Sequence, residues 1–229
     1  MHIPLSKRLK ACCNFIAPGD RVADIGCDHG YLGIHLLTEG IAASVIAADV
    51  NEGPLQSAKE NACAEGLNDK ITFLLTNGLC GVMPHRPTDI AICGMGGELI
   101  GEILTSAPDA HIRGVRFLLQ PMTRQEHLRK VLAHLGFAVT DEQYTVEGDK
   151  AYLVIACEYT GESHEIDEAQ ALLGLRLYKD TPMSDAERAY FLKKEKALLR
   201  RRDGRARGEE ETTAEDMLLS HLFRLHTKE

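Results

Sequence analysis

The chain lacks the features that mark membrane, secreted and metal-binding proteins. None of its apolar runs is long enough to cross a bilayer, and its N-terminus shows no signal-peptide pattern. Its seven cysteines are an odd number, scattered without the CxxC or paired-histidine spacing of a metal site. They indicate reduced thiols that fill apolar positions. We therefore expect a cytoplasmic protein with no membrane attachment and no metal.

An excess of positive charge is also missing. The chain has 26 lysines and arginines against 34 aspartates and glutamates, a formal net charge of −8. Taken alone, that balance argues against a general nucleic-acid binder. What is present is an ordinary globular composition, with 44% hydrophobic and 26% charged residues. The 229 residues suffice for one α/β domain and a small appendage.

Strand and helix patterns alternate along the first two thirds of the chain. This order predicts an α/β fold with a mainly parallel sheet and right-handed crossovers. The last two predicted strands are joined by a short turn that contains Gly148, which indicates an antiparallel hairpin. A parallel nucleotide-binding sheet that ends in such a hairpin is the Rossmann-like methyltransferase architecture, an analogy of fold alone. The predicted strands are 21–25, 44–48, 71–75, 89–93, 115–119, 137–146 and 151–159.

The composition changes near residue 160. Beyond it the strand signals vanish, and charged residues mix with leucines. A capping box at 184–187 opens a long helix, and Thr212 or Thr213 caps a final one. We therefore predict a sheet domain over 1–160 and a small helical domain over 161–229.

The glycine loop after the first strand is the most informative motif. The strand reaches Asp24, and the chain then passes through Gly26 and Gly30 into a helix, as in parallel sheets that hold nucleotide-like ligands. Asp24 and Asp28 stand on either side of Gly26 and would repel a pyrophosphate, which disfavours NAD. A ligand with ammonium, sulfonium and hydroxyl groups fits better. S-adenosylmethionine has these groups and is the predicted cofactor.

Polar residues also follow the second and third strands. Asp49 closes the second strand, where an acid typically accepts hydrogen bonds from both hydroxyls of a ribose. Asp24 and Asp49 could each be a helix N-cap instead, although the pair beside a glycine turn favours ligand binding. Asn77 could bond an adenine amino group or belong to a plain Asn-Gly turn. The candidate cofactor-binding residues are Asp24, Gly26, Cys27, Gly30, Asp49, Val50, Asn51, Asn77, Gly78 and Leu79.

Two later turns are expected at the same edge of the sheet. The segment Gly94–Gly97 has three glycines in four positions, so its exposed backbone could let a flat base approach the methyl donor. Gln120 and Pro121 follow the fifth strand and predict a second, rigid segment at the edge of the ligand site. The side-chain amide of Gln120 would be available there for base recognition. Either segment could also be an ordinary turn.

Two groups of cations stand out against the acidic balance. Lys7, Arg8 and Lys10 lie on the first predicted helix. A second group in the helical domain sets eight lysines and arginines against two acids, which suits a phosphate backbone. A solvated charged helix face is the alternative for both groups. The second group comprises Lys193, Lys194, Lys196, Arg200, Arg201, Arg202, Arg205 and Arg207.

Several of these motifs together resemble the bacterial TrmK family. That family consists of S-adenosylmethionine-dependent tRNA methyltransferases that modify N1 of adenosine 22. The resemblance implies a methyltransferase domain over 1–160, a helical, coiled-coil-like domain over 161–229, tRNA as partner and no evident obligate protein partner. In this chain Asp28 replaces a glycine of the general methyltransferase loop, as in the family, and Asn77 replaces a commoner acid. The motifs are Ser6–Leu9, Asp24–Leu32, Asp49–Leu55, Gly94–Gly97 and Leu119–Met122.

The resemblance also implies roles for individual residues. Asp28, with His29 or Tyr31, is expected to hold the target adenine and stabilise the cationic product, although His29 could be a buried hydrogen-bonding residue. Lys150 and Tyr152 could contribute from the last hairpin strand. The candidate catalytic residues are Asp28, His29, Tyr31, Gly94, Met95, Gly96 and Gly97. The candidate tRNA contacts are Lys7, Arg8, Lys10, Gln120, Pro121, Lys150, Tyr152, Lys193, Lys194, Arg200, Arg201 and Arg202.

Two rival functions stay open at the level of sequence. A methyltransferase of the same fold could act on a protein or a small molecule. A non-catalytic RNA-binding protein could retain the cofactor pocket.

Overall fold

The computed structural model describes residues 5–208 and 210–226. Short 3₁₀ turns connect some of its longer elements. The strands are β1 (Asp20–Ile25), β2 (Ala42–Asp49), β3 (Ile71–Leu75), β4 (Asp89–Gly96), β5 (Arg116–Thr123), β6 (Phe137–Glu147) and β7 (Lys150–Tyr159). The α-helices are α1 (Lys7–Cys13), α2 (Tyr31–Thr38), α3 (Glu52–Ala64), α4 (Gly97–Thr105), α5 (Gln125–Leu135), α6 (Glu168–Leu173), α7 (Asp185–Arg207) and α8 (Thr213–His226).

The seven strands form one sheet in the order β3-β2-β1-β4-β5-β7-β6. The strands β1 to β5 pair in parallel, and β7 pairs antiparallel with both β5 and β6. The chain first builds outward from β1 to β3 and then returns to place β4 on the other side of β1. The carboxyl ends of β1 and β4 therefore flank the switch point where open α/β sheets bind ligands. The predicted fold is confirmed.

The central strands are apolar on both faces because helices cover both sides of the sheet. Ile90 and Ile92 of β4 are fully buried against α4 and α5, together with Ile25 of β1. On the other face, Val22 and Ala91 pack with residues of α1, α2 and α3. These two apolar layers fix the strands, so that polar residues at the strand ends are held at one edge.

The helical region after residue 160 is present as predicted and is anchored to the sheet. The Ser184 hydroxyl accepts from the Glu187 amide at 3.3 Å, while the Ser184 amide donates to the Glu187 carboxylate at 2.8 Å, which is the predicted capping box. Tyr190 and Phe191 of α7 are buried against the ring of Tyr144 on β6. Since α7 and α8 share one apolar core with the sheet, the domain boundary at 160 stays a proposal.

Two predicted turns are strand instead. The pairing of β4 with β5 continues past Cys93 with irregular register, as far as Gly96 opposite Thr123. Gly94, Gly96, Gln120 and Pro121 therefore belong to the paired ends of β4 and β5. The sequence suggested loops because glycine and proline usually interrupt strands, whereas here they stand at an irregular, twisted strand end.

The structure also bears on the membrane, metal and cysteine predictions. Within 5–208 and 210–226, no helix combines the length and the apolar character that a bilayer crossing requires. The same residues contain no cluster of three or more His, Cys, Asp or Glu side chains placed to hold a metal ion. All seven cysteines are free thiols. The expectation that they fill apolar positions is wrong for Cys63 and Cys80, which are exposed.

Candidate active site

A cleft of about 400 Å³ lies at the carboxyl ends of β1, β2, β3 and β4, over the switch point. Its volume falls within the range of small-molecule and cofactor sites. The structure brings thirteen of the predicted site residues to its walls. They are Arg8, Asp24, Gly26, Cys27, Asp28, Tyr31, Asp49, Val50, Asn51, Asn77, Gly78, Gly94 and Met95.

Asp24 is a buried carboxyl group at the floor of the cleft. It is only 4% exposed, and burial raises its pKa to about 7. A hydrogen bond from the Gly33 amide opposes this rise, while the nearby carboxylates of Asp49 and Asp28 add to it. The ionised form of Asp24 is therefore short of positive charge in the protein itself. A cationic ligand group in the cleft would supply that charge.

Asp49 is oriented by its own turn at the end of β2. Its Oδ1 accepts from the Asn51 amide at 2.9 Å, and its Oδ2 accepts from the Asp28 amide at 3.1 Å. These bonds join the ends of β1 and β2 and leave further lone pairs on each oxygen for ligand hydroxyls. The residues at the N-caps of α2 and α3 are Gly30 and Asn51. Neither acid is therefore the N-cap residue of a helix, although Asp24 accepts from the Gly33 amide in the first turn of α2.

Gly26 and Gly30 of the first loop have different structural roles. Gly26 has a φ of +68°, and a Cβ there would lie 2.2 Å from the Cε of Met95. The Cε of Met95 ends a flexible side chain that can move, so the positive φ is the firmer constraint on this position, and glycine there keeps the backbone accessible at the cleft. Gly30 has a φ of +74° and packs against Ala58 of α3, away from the walls of the cleft. The structure does not bring Gly30 to the predicted cofactor-binding surface.

Asp28, His29 and Tyr31 lie together at the mouth of the cleft. The Nε2 of His29 is 3.5 Å from Oδ1 of Asp28, and the rings of His29 and Tyr31 stack with their centroids 5.4 Å apart. The His29 side chain is 45% exposed, so the alternative of a buried histidine is wrong. The Asp28 backbone has a φ of +51°, in the left-handed region. A carboxylate, an imidazole and a phenol ring are thus all within reach of a base at the opening.

The four residues Gly94–Gly97 divide into two pairs. Gly94 and Met95 line the cleft, and Gly94 has a φ of +78°. Gly96 and Gly97 lie outside the cleft walls. A Cβ at Gly97 would meet the Thr123 carbonyl oxygen at 2.8 Å, so this glycine serves the close packing of α4 against β5. The predicted catalytic contact by Gly96 and Gly97 is not supported by their positions.

Two further predictions are corrected by burial. The Leu79 side chain is 1% exposed and belongs to the apolar core, so it does not line the cleft. Gln120 is fully buried, and its Oε1 accepts from Arg8 Nη1 at 3.0 Å and from the Gly94 amide at 3.1 Å. The amide of Gln120 is therefore not available for base recognition. Pro121 is buried beside it.

The sequence missed several side chains of the cleft. Leu99 and Ile103 of α4 line the wall near Asn77, and Leu99 is 48% exposed. They are four residues apart, which places them on one face of the helix. That spacing directly after a glycine-rich strand end was the signal that could have identified them. The other cleft-lining residues that were not predicted are Leu9, Ile25, Leu32, Ala48, Thr76 and Cys93.

Two of the predicted tRNA contacts are held near each other beside the cleft. The backbone amide of Lys7 donates to the Glu147 carboxylate at 2.9 Å, and Glu147 is the register partner of Lys150 across the hairpin. Lys7, Lys10 and Lys150 have exposed side chains, and Tyr152 is half-buried. The start of α1 therefore contacts the turn between β6 and β7, which carries the acids Glu147 and Asp149 beside Lys150.

The basic stretch of α7 divides into a paired side and an open side. Lys194 donates to Gln125 and Glu126, both at 2.7 Å. Arg201 and Arg205 bind the buried Glu215 of α8, and Arg202 pairs with Asp203 and lies 3.8 Å from Asp216. Because Lys194, Arg201 and Arg202 bind partners within the protein, the structure disfavours them as tRNA contacts.

The open side of α7 carries the remaining cations. Lys193, Lys196 and Arg200 form no ion pair or hydrogen bond within 5–208 and 210–226, and the three are exposed. Among the described residues, Arg207 donates only to the Asp203 carbonyl oxygen, at 3.1 Å. At 3.6 residues per turn, these four side chains fall within about 60° of the helix circumference. They form a single basic strip, which we call the open strip.

Comparisons with known proteins agree with this site. A family model described as a methyltransferase domain matches residues 5–155. The tRNA (adenine(22)-N(1))-methyltransferase of Bacillus subtilis is 34% identical over 197 residues, which cover 84% of this chain and 80% of that protein.

Two solved structures extend the match to most of the chain. The crystal structure of the B. subtilis M1A22 tRNA methyltransferase TrmK has a TM-score of 0.79 at 27% identity and covers 98% of this chain and 97% of that one. A Streptococcus pneumoniae protein solved in complex with S-adenosyl-L-methionine has a TM-score of 0.82 at 29% identity, covering 97% of this chain and 100% of that one. Together with the motifs of the cleft, these matches show that the chain belongs to the TrmK family of tRNA (adenine(22)-N(1))-methyltransferases.

Proposed function

We propose that this chain transfers the methyl group of S-adenosylmethionine to N1 of adenosine 22 in tRNA. The observation that carries the proposal is the match to the B. subtilis enzyme over 84% of the chain. The matched methyltransferase model, over 5–155, spans the cleft and its acids. The solved structure of the B. subtilis enzyme and the S-adenosyl-L-methionine complex of a similar protein support the same assignment.

The residues of the cleft suit this cofactor. Asp24 is a buried acid whose ionised form is short of nearby positive charge. The ammonium of a methionine moiety would supply that charge. Asp49 has oriented carboxylate oxygens with free lone pairs for the two ribose hydroxyls. Val50, Asn77 and the apolar Leu99 line the neighbouring wall, where a flat base can lie. When bound, the cofactor supplies an electrophilic methyl group on a sulfonium.

The acceptor needs little chemical activation from the protein. Adenine N1 has a lone pair in the plane of the ring and is neutral at pH 7, so no general base has to remove a proton. Catalysis then consists mostly of positioning, with stabilisation of the positive charge that the base acquires. We assign that stabilisation to Asp28, whose carboxylate lies at the mouth beside the stacked rings of His29 and Tyr31.

The position of N1 sets a condition on the substrate. N1 lies on the pairing edge of adenine, so the base must be unpaired or turned out of its helix before it enters the mouth. The exposed lysines of α1 and of the hairpin, together with the open strip of α7, are the surfaces that we assign to the phosphate backbone.

The test uses two transcripts of one tRNA, which differ only in adenine or guanine at position 22. Each is incubated with the protein and labelled S-adenosylmethionine and is then digested and analysed by mass spectrometry. We expect 1-methyladenosine at position 22 of the first transcript and no label on the second. Equal labelling of both transcripts would contradict the assigned site. Absence of label from both, with intact cofactor binding, would favour the rival functions.

A further inference from the structure

A second groove lies at the amino ends of β1, β2 and β3, at the edge of the sheet opposite the cleft. Its volume is about 560 Å³. Ser44 in its wall is five residues before Asp49 on β2, which separates the two residues by about 16 Å. The groove is therefore a separate feature from the cleft. It is lined by Arg21, Ser44, Val45, Ile46, Thr72, Pro84, His85 and Arg86.

The groove has basic side chains in its walls and no acid. Among its lining residues within the described part of the chain, Arg21, His85 and Arg86 carry basic groups, and none is an aspartate or a glutamate. The chain as a whole has 34 acids against 26 lysines and arginines. Basic groups that are gathered in a concave surface without acids attract anions. The lining of the groove therefore favours an anionic ligand.

Arg21 on β1 presents an oriented guanidinium to the groove. Its Nε donates to the Ser44 hydroxyl at 3.2 Å, and its Nη1 donates to the His85 carbonyl oxygen at 2.9 Å. Of its five N–H groups, the other three bind no acceptor among the described residues, and both hydrogens of Nη2 belong to these three. The guanidinium is thus held in place by the protein and has donors left for a ligand.

The side chains of His85 and Arg86 have no partner within the protein. Over 5–208 and 210–226, neither forms a side-chain hydrogen bond or an ion pair. Arg86 is exposed and directly follows the 3₁₀ turn Met83–His85. Its φ of +53° lies in the left-handed region, where glycine would be unstrained. The chain therefore places an unpaired cation at a strained position beside the groove.

A compact oxyanion fits this lining better than an apolar or aromatic group does. Val45 and Ile46 are only 1% and 2% exposed, so they offer a ligand little apolar surface. Arginine guanidinium groups bind the oxygens of a phosphate through paired, charge-assisted hydrogen bonds. The Ser44 hydroxyl accepts from Arg21, so its own hydrogen remains available to a further acceptor.

We propose that Arg21, His85 and Arg86 form a binding site for a phosphate group at the amino edge of the sheet. A backbone phosphate of tRNA and the phosphate of a small phosphorylated compound present the same chemical group, so the experiment has one arm for each source. Because the groove lies outside the cleft, the proposal goes beyond the proposed function and does not depend on it.

The first arm titrates the full-length protein with inorganic pyrophosphate and follows the imidazole signal of His85 by NMR. That signal is assigned by its absence from the His85→Gln variant. We expect a saturable shift in the wild-type protein. Arg21→Gln and Arg86→Gly should each weaken pyrophosphate binding about 10-fold or more, because charge-assisted hydrogen bonds are lost. Glycine adopts the backbone conformation of Arg86 without strain, so the second variant should keep the fold.

Arg124→Gly is the matched control for the first arm. Arg124 has a φ of +55° and an exposed side chain, but it lies at the end of β5, at the opposite edge of the sheet. Its replacement should leave the affinity for pyrophosphate unchanged. An equal loss of affinity in Arg124→Gly and Arg86→Gly would overturn the proposal, and so would equal affinities in the wild-type protein, Arg21→Gln and Arg86→Gly.

The second arm measures tRNA binding against salt for the wild-type protein and the Arg21→Gln, Arg86→Gly double variant. A fall of about 1 in the salt slope of log K would identify a backbone phosphate of tRNA as the source. An unchanged slope together with pyrophosphate binding would identify a small phosphorylated compound. An unchanged slope without a saturable pyrophosphate shift would overturn the proposal. Failure of the wild-type protein to bind tRNA would instead remove the proposed function, and the first arm would then decide.

Discussion

The cleft and the basic stretch of α7 are both rich in charge, but they leave different charges without partners. In the cleft, Asp24 is buried, and its pKa is raised to about 7 by burial. On α7, Arg201 and Arg205 are satisfied by the buried Glu215 of α8. A high density of charge in a sequence therefore does not identify a binding surface. Charges that the fold leaves without a partner identify a binding surface better. The following predictions test that rule.

The largest effect is expected where the backbone itself must approach the ligand. Gly26→Ala would place a Cβ 2.2 Å from Met95 in the cleft, and we expect at least a 100-fold loss of S-adenosylhomocysteine affinity by calorimetry. Gly40→Ala is the matched control, because Gly40 has a nearly identical φ of +67° and open space around it. It should cost about 1 kcal/mol of stability and no affinity. Equal losses of affinity in both variants would show that backbone strain, which the two share, causes the loss.

Asp24→Asn should separate stability from binding. The folded-state pKa of Asp24 is raised from 3.8 to about 7, so the stability associated with its protonated form is complete below about pH 4 and is lost as the pH rises towards 7. A neutral amide avoids that loss. We expect the variant to be more stable than wild type by about 2–4 kcal/mol at pH 8 and similar at pH 4.

The same variant should lose about 100-fold in S-adenosylhomocysteine affinity at pH 8, because the charge that meets the ammonium is gone. Urea unfolding at the two pH values and calorimetry on the same samples measure both effects. Stability that falls at pH 8 in the variant would show that ionised Asp24 is already compensated within the protein.

Asp28→Asn tests the mouth of the cleft. Asparagine is chosen because it tolerates the positive φ of +51° at this position better than alanine does. With the carboxylate removed, we expect kcat for tRNA methylation to fall about 10- to 100-fold, with S-adenosylhomocysteine affinity within about threefold of wild type. A near-normal kcat would remove Asp28 from the mechanism.

The smallest effects should come from α7, where two triple variants form a matched pair. Replacing Lys193, Lys196 and Arg200 by alanine should weaken tRNA binding and reduce the salt slope of log K by about 2–3. Replacing Arg201, Arg202 and Arg205 should instead lower the melting temperature, because Glu215 loses its partners. Equal effects of both triplets on the salt slope would contradict the division of α7 into a paired and an open side.

Strand positions and the acids at their ends could be predicted because each depends on local pattern. Asp24 and Asp49 close apolar runs, and the carboxyl ends of neighbouring parallel strands must meet at one edge. The capping box at Ser184 is likewise a local signal and was predicted correctly. The family resemblance then supplied the substrate, which no local pattern contains.

Features that depend on tertiary pairing could not be predicted in the same way. Gln120 is occupied by Arg8 and Gly94 because β5 continues beside β4, and nothing local in Gln-Pro indicates that extension. The partners of Arg201 lie on α8, so its neutralisation is invisible within α7 itself. Short α6, with its capping box at Asp167 and Gln170, is stabilised by its packing on α5 and was not predicted.

The affinity of the wild-type protein for S-adenosylhomocysteine, measured by calorimetry across pH, tests most directly whether the uncompensated charge of Asp24 makes this cleft a binding site. Binding of the ammonium requires ionised Asp24, so we predict that affinity falls as the pH drops from about 8 to 5.5 and that binding releases a proton near pH 7. Asp24→Asn should bind weakly at every pH without this dependence. An affinity that is constant from pH 8 to about 5.5 in the wild-type protein, with no proton released, would contradict the account.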